Sequence, residues 1–237
     1  KKKMKIKYNS IDIFLHKLAL SGKAQFQSAL YLENMIQNYK NDYTFESGNH
    51  IFISGMARSG TTMLLNIFYK TNLFSSIAYE DMPFIACPNI WKLISSSSKK
   101  QIEASERLHS DGVVFDNTSP EAFEEAYWIN FDGHPKQIDL FKKFVRNYLI
   151  KNEKNNYLSK NNQNIKRIPT ILDNFSNSKM LVLFRNPFEV ASSIFSQHKS
   201  FINLQKESIF IKDYMKMIGH SEFGSSYKQV HNSNKIL

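Results

Sequence analysis

Ile51-Phe52-Ile53-Ser54-Gly55-Met56-Ala57-Arg58-Ser59-Gly60-Thr61-Thr62-Met63-Leu64-Leu65-Asn66-Ile67-Phe68-Tyr69 is the stretch that decides the fold. The apolar burst Ile51, Phe52, Ile53 predicts a short buried strand, and residues 55–62 a tight turn. Met63, Leu64, Leu65, Ile67 and Phe68 then supply the apolar face of a helix. Strand, glycine-containing turn and helix together make an anion cradle. Successive backbone N–H groups and the helix N-terminus converge on the anion, and glycine lets the backbone come close. Gly55 and Gly60 have the spacing of the G-x-x-x-x-G-K-[ST] loop, but Thr61 stands where that loop has its lysine. The cation is Arg58, inside the turn. The pattern therefore implies phosphate binding and argues against a nucleoside triphosphate, with a chance turn as the alternative.

Upstream, residues 11–38 have a helical pattern that Ser21-Gly22 breaks in two, the simplest reading being an amphipathic appendage over residues 1–44. Residues 41–49 form a polar linker into the domain proper, residues 45–237. Downstream, residues 75–81 predict a second short strand ending in Glu80 and Asp81. Ligands of doubly wound sheets sit beyond the C-terminal strand ends, so acids there are candidates for chemistry; a solvated acidic pair is the alternative. Residues 95–100 are a serine- and lysine-rich flexible segment, 102–108 a short helix and Asp111-Gly112 a turn. Ser119-Pro120-Glu121 has the chemistry of a helix start, followed by Phe123, Ala126, Tyr127 and Trp128. Residues 138–150 form another amphipathic helix and 151–156 a charged loop. Residues 157–160 form a strand that delivers Lys160 to a loop at 161–164, and a helix covers 165–175. Residues 180–184 are near-continuously apolar, the mark of a buried central strand. Pro187 starts the next helix.

The chain has 237 residues, 31 Lys and Arg against 21 Asp and Glu, and a net charge of +10. Its length allows a core burying roughly 70–75% of the unfolded surface. The basic balance favours anionic ligands. The lone Cys87 excludes an internal disulfide, fits a reducing, cytoplasmic setting and has no partner at metal spacing. No run of eighteen apolar residues is present, so no membrane span is expected.

A P-loop nucleoside triphosphatase needs a carboxylate at a second strand tip to hold Mg²⁺. The strand at 180–184 ends instead in Arg185, an anion ligand, with Ser193 eight residues further on. Two cationic anchors at two strand ends suit a ligand with phosphates at separate positions.

These residues carry a resemblance. GMARSGTTMLL (55–65) resembles the 5′-phosphosulfate loop of sulfotransferases that use 3′-phosphoadenosine 5′-phosphosulfate (PAPS), and LVLFRNPFEVASS (181–193) resembles their 3′-phosphate strand, turn and helix. YLSKNNQNIKRI (157–168) is similar to the lysine-containing segment of bacterial and Golgi-type members. LHKLALSGKAQF (15–26) and DGVVFDNTSPEAFEEAYW (111–128) look like flanking segments of a broad bacterial group. The resemblance implies an α/β, P-loop-like three-layer fold, with a mainly parallel central sheet flanked by helices. It implies that Arg58 and the N–H groups and hydroxyls of Ser59, Gly60, Thr61 and Thr62 hold the 5′-phosphosulfate. Arg185 and Ser193 would hold the 3′-phosphate. Glu80 matches the glutamate base of tyrosylprotein-type members, and Lys160 and Arg58 would stabilise the sulfuryl group beside it, while strand alternation would turn Asp81 the other way. His109 and His134 are weaker candidates for the base. The implied products are a sulfated small molecule, glycan or lipid and adenosine 3′,5′-bisphosphate, with no metal and no nucleic acid. About forty residues follow Ser193, fewer than the family uses to close its site, so truncation at the C-terminus is expected.

Two other readings stay open on the residues. A P-loop small-molecule kinase would need the missing loop lysine and Mg²⁺ carboxylate. A non-catalytic nucleotide or polyanion binder would use the charge, but the lysines are dispersed rather than clustered with aromatics.

Overall fold

The computed structural model describes residues 9–38, 43, 45–95, 105–106 and 114–228. The expectations placed on residues 1–8, 96–100 and 229–237, on Asp111-Gly112 and on His109 lie outside them. Helices α1 (Ser10–Leu20) and α2 (Lys23–Gln37) are separated at Ser21-Gly22 as the sequence suggests. They are followed by β1 (His50–Gly55), α3 (Thr61–Tyr69), β2 (Phe74–Ser75) and α4 (Pro88–Ser95). A two-residue antiparallel ladder joins β3 (Ser105–Glu106) to β4 (Val114–Phe115), so residues 105–106 are strand where a helix was expected. Then come α5 (Glu125–Asn130), α6 (Gln137–Asn152), β5 (Asn156–Lys160), α7 (Ile168–Asn174), β6 (Ser178–Leu183), α8 (Pro187–Glu207) and α9 (Ile209–Met217).

The main sheet has the order β2-β5-β1-β6 and every pairing is parallel. Alternation along its strands divides the core in two. Phe52, Tyr157 and Met180 enter the larger cluster with Tyr127, Phe141, Phe144 and Phe175 from α5, α6 and the end of α7. Ile51, Ile53, Leu158, Leu181 and Leu183 enter the other, against Leu64, Leu65 and Phe68 of α3. The result is three layers, helix on sheet on helix. Phe26 and Leu30 of α2 are also fully buried in the larger cluster. Among the described residues no helix is long and apolar enough to cross a membrane.

Five further expectations are corrected. Residues 180–184 were expected as a buried central strand; β6 does neighbour β1 but lies at the sheet's edge among the described strands, with Val182 48% and Phe184 86% exposed. Its apolar run serves both sheet faces only over Met180, Leu181 and Leu183. In α3 the buried stripe is Leu65 with Leu64 and Phe68 beside it, while Met63 and Ile67 face outward. The strand expected over 75–81 stops at Ser75, because the backbone beyond it bonds elsewhere. Tyr79 and Glu80 N–H donate to the Ser119 and Asn117 carbonyls, and Glu121 N–H to Ile77. That pairing also removes Ser119-Pro120-Glu121 from helix duty: Pro120 bridges Ala78, and α5 starts only at Glu125. The helix expected over 165–175 is a 3₁₀ turn, Asn162–Arg167, followed by α7 with Pro169 in its first turn.

Candidate active site

The turn between β1 and α3 is shaped by three residues with positive φ: Gly55 at 142°, Arg58 at 71° and Gly60 at 98°. Gly60 caps α3 in the left-handed region, and Ser59 closes the turn with its N–H and its hydroxyl both donating to the Met56 carbonyl. A Cβ on Gly55 would stand 2.7 Å from the Leu183 carbonyl oxygen, on the neighbouring backbone of β6. Gly55→Ala is therefore expected to destabilise the protein by more than ~1 kcal/mol. Thermal melts would show the loss, and a variant that melts like wild type would contradict the close approach.

Arg58 reaches across to α8. Its Nε donates to Ser193 Oγ at 2.9 Å. A cavity of about 700 Å³ opens along that helix, lined by Arg58 and by Ser193, Ser196, Gln197 and Glu189 among others. Arg58 of the turn and Ser193 of α8 are thus in direct contact. Arg185 is not among the lining residues. Its guanidinium is half-exposed and paired with Glu189, 2.8 Å from Oε2 through both Nε and a terminal nitrogen. Asn186 caps α8 by accepting from Phe188 N–H. Thr61 is buried beneath the loop, with its hydroxyl 3.5 Å from Asn162 Oδ1.

Lys160 is the last residue of β5, and Asn161 N–H ties that tip to the Ile53 carbonyl of β1. The buried Lys160 ammonium lies 3.9 Å from Glu121 Oε1. Glu121 in turn accepts from Ala122 N–H and from the Tyr79 hydroxyl.

Glu80 was expected beside Arg58 and Lys160, with Asp81 facing away. The ammonium that meets it is Lys151, at 2.7 Å, and Asp81 turns to the same ammonium. The alternation that would separate the two acids is lost because residues 79–81 form a 3₁₀ turn rather than strand. Burial pushes the Asp81 carboxyl up, with Lys151 opposing. For Lys151, burial lowers the ammonium, but Asp81 and Glu80 outweigh it and the net shift is upward. Trp91 Nε1 donates to the Glu80 carbonyl and helps hold the turn. His134 sits between α5 and α6, its ring nitrogens meeting the Tyr31 hydroxyl and Lys136 N–H.

The sequence pattern points to neither Glu121 nor Lys151: it puts the first at a helix start and the second in a charged loop. Lys151 nonetheless follows Phe144 and Tyr148 at helical spacing and so belongs to the buried face of α6.

Comparison with known proteins adds three findings. A family model described as "Sulfotransferase family" matches residues 50–231. No curated protein matches the chain significantly. The crystal structure of sulfotransferase STF9 from Mycobacterium avium is similar at 10% sequence identity and a TM-score of 0.45, over 94% of this chain and 69% of that one.

Proposed function

The chain belongs to the sulfotransferase family, and on that premise we propose that it moves a sulfuryl group from PAPS to a hydroxyl or amine of a small-molecule, glycan or lipid acceptor. The catalytic unit in this proposal is residues 45–237, with residues 1–44 as a helical appendage. The observation that carries the reading is the 2.9 Å bond from Arg58 to Ser193, both of which line the α8 cavity. It joins the glycine-containing cradle to the helix after Arg185, which supports a single ligand with 5′ and 3′ anionic groups.

The donor supplies an activated sulfuryl group whose leaving group is adenosine 3′,5′-bisphosphate. In this reading the N–H groups of Ser59, Gly60, Thr61 and Thr62 bind its 5′ end, where the start of α3 favours negative charge. Arg58 and Lys160 oppose the charge that builds up during transfer. Glu80 accepts the acceptor's proton as the new bond to sulfur forms and the bond from sulfur to the 5′-phosphate oxygen breaks. A second reading gives the base role to Glu121, because its carboxylate is the one near Lys160. Comparing Glu80→Gln with Glu121→Gln separates the two.

Ligand choice tests the nucleotide assignment. Adenosine 3′,5′-bisphosphate should bind more tightly than AMP, since Arg185 and Ser193 address the 3′-phosphate. Charge-assisted hydrogen bonds contribute about 1.5–3 kcal/mol each. Arg185 is half-exposed and must leave Glu189, so the net advantage is expected at the low end, about tenfold. Calorimetry should show the gap closing in Arg185→Ala and widening in Glu189→Gln. Equal affinities in wild type would remove the role given to Arg185.

A further inference from the structure

We propose that Lys151 is a positioning residue for the base: it fixes the Glu80 carboxylate and keeps it ionised while leaving it reachable. This rests on the reading of Glu80 as base. Three charged groups meet at the end of α6. Lys151 has a side chain 4% exposed, Asp81 1% and Glu80 23%. Asp81 is fully spent inside, its Oδ2 accepting Ala78 N–H and its Oδ1 bonded to the Lys151 ammonium. Of the three, only Glu80 reaches toward solvent. One ammonium therefore serves two carboxylates, and it holds the more exposed of them, Glu80, at 2.7 Å. A positive charge at that distance favours the ionised carboxylate, the form a base needs.

The surroundings agree. Tyr69 of α3 lies close enough to feel the cluster; burial raises its hydroxyl pKa, with Lys151 acting the other way, so it is a neutral neighbour at physiological pH. Lys92 of α4 donates its ammonium to the Lys151 carbonyl at 3.1 Å rather than to either acid. Asp116, the remaining acid in range of Tyr69, is held low by hydrogen bonds from Thr118 and Ser119 and keeps its charge. Lys151 is thus a cation in direct contact with both members of the pair.

The test reads Glu80 itself. Carbon-13 NMR of the glutamate carboxyls in the full chain, assigned with Glu80→Gln, gives the Glu80 titration midpoint. Lys151→Met should raise that midpoint by about 1–3 pH units, and Lys151→Arg should restore it. If the single variant does not fold, Asp81→Asn/Lys151→Met removes both inner charges together, and the midpoint should still rise above wild type. With labelled donor and an acceptor found by screening, the acid limb of the kcat/KM profile should move by the same amount. A midpoint that stays put in both variants overturns the proposal, because a purely structural lysine would leave it so. The base reading fails separately: Glu80→Gln with unchanged turnover sinks it, whatever the titration shows.

Discussion

Glu80→Gln is expected to lower kcat by about 10²–10⁴-fold while leaving affinity for adenosine 3′,5′-bisphosphate nearly unchanged. Glutamine keeps the size of the side chain and still offers the Lys151 ammonium an acceptor oxygen, so the turn over Tyr79–Asp81 and its backbone bonds to Asn117 and Ser119 should persist. What disappears is the capacity to take a proton. The nucleotide contacts proposed for Arg58, Ser193 and the Gly55–Gly60 turn involve other elements, and none depends on the Glu80 charge. Loss of turnover with intact nucleotide binding therefore identifies a chemical role rather than a folding defect. Retention of turnover in Glu80→Gln together with its loss in Glu121→Gln would move the base to the carboxylate beside Lys160. Loss in His134→Ala or His109→Ala alone would move it to a histidine.

How far this site was legible depends on whether its contacts are local. The switch from strand to helix across residues 51–69 is a property of adjacent residues, and the strand, turn and helix follow it closely; positive φ at Gly55 and Gly60 suits glycine, whereas that at Arg58 has no signal in the sequence. Likewise the Arg185-Asn186-Pro187 turn, with proline at the start of α8, is written in consecutive positions. Contacts between distant segments were not legible. Nothing near residues 77–81 announces that their hydrogen bonds go to residues 117–121, so the local pattern reads as a continuing strand, which turns Asp81 the wrong way. The edge position of β6 is of the same kind, because an apolar run records how apolar the two faces are, not how many strands lie beyond. For Lys151 a local signal did exist. Extending the apolar spacing of α6 by one turn places it on the buried face, where a lysine requires acidic partners.

Lys151→Met is expected to destabilise the protein by about 3–5 kcal/mol at neutral pH, the cost of removing one partner from a buried ion pair. The methionine keeps most of the apolar stem, so the loss is electrostatic. Asp81, 1% exposed, would be left with Ala78 N–H as its described donor and Glu80 as a nearby like charge. Burial already holds the Asp81 carboxyl above its ordinary pKa even with the lysine present. Without the lysine its folded-state pKa rises further, and the sign of the pH dependence follows. A carboxyl whose pKa is higher in the folded than in the unfolded chain binds more protons when folded. Its contribution is fully present below the unfolded value and is lost as pH rises through the folded one. The deficit of Lys151→Met should therefore be smallest near pH ~4 and grow toward neutrality. Urea melts across that range measure it. Asp81→Asn/Lys151→Met should recover a large part of the loss, since a neutral amide oxygen still accepts from Ala78 N–H and carries no charge to bury. A deficit in the single variant that does not shrink on acidification would mean that Asp81 is not the group left exposed to the loss, and that the buried pair does not hold this corner of the fold together.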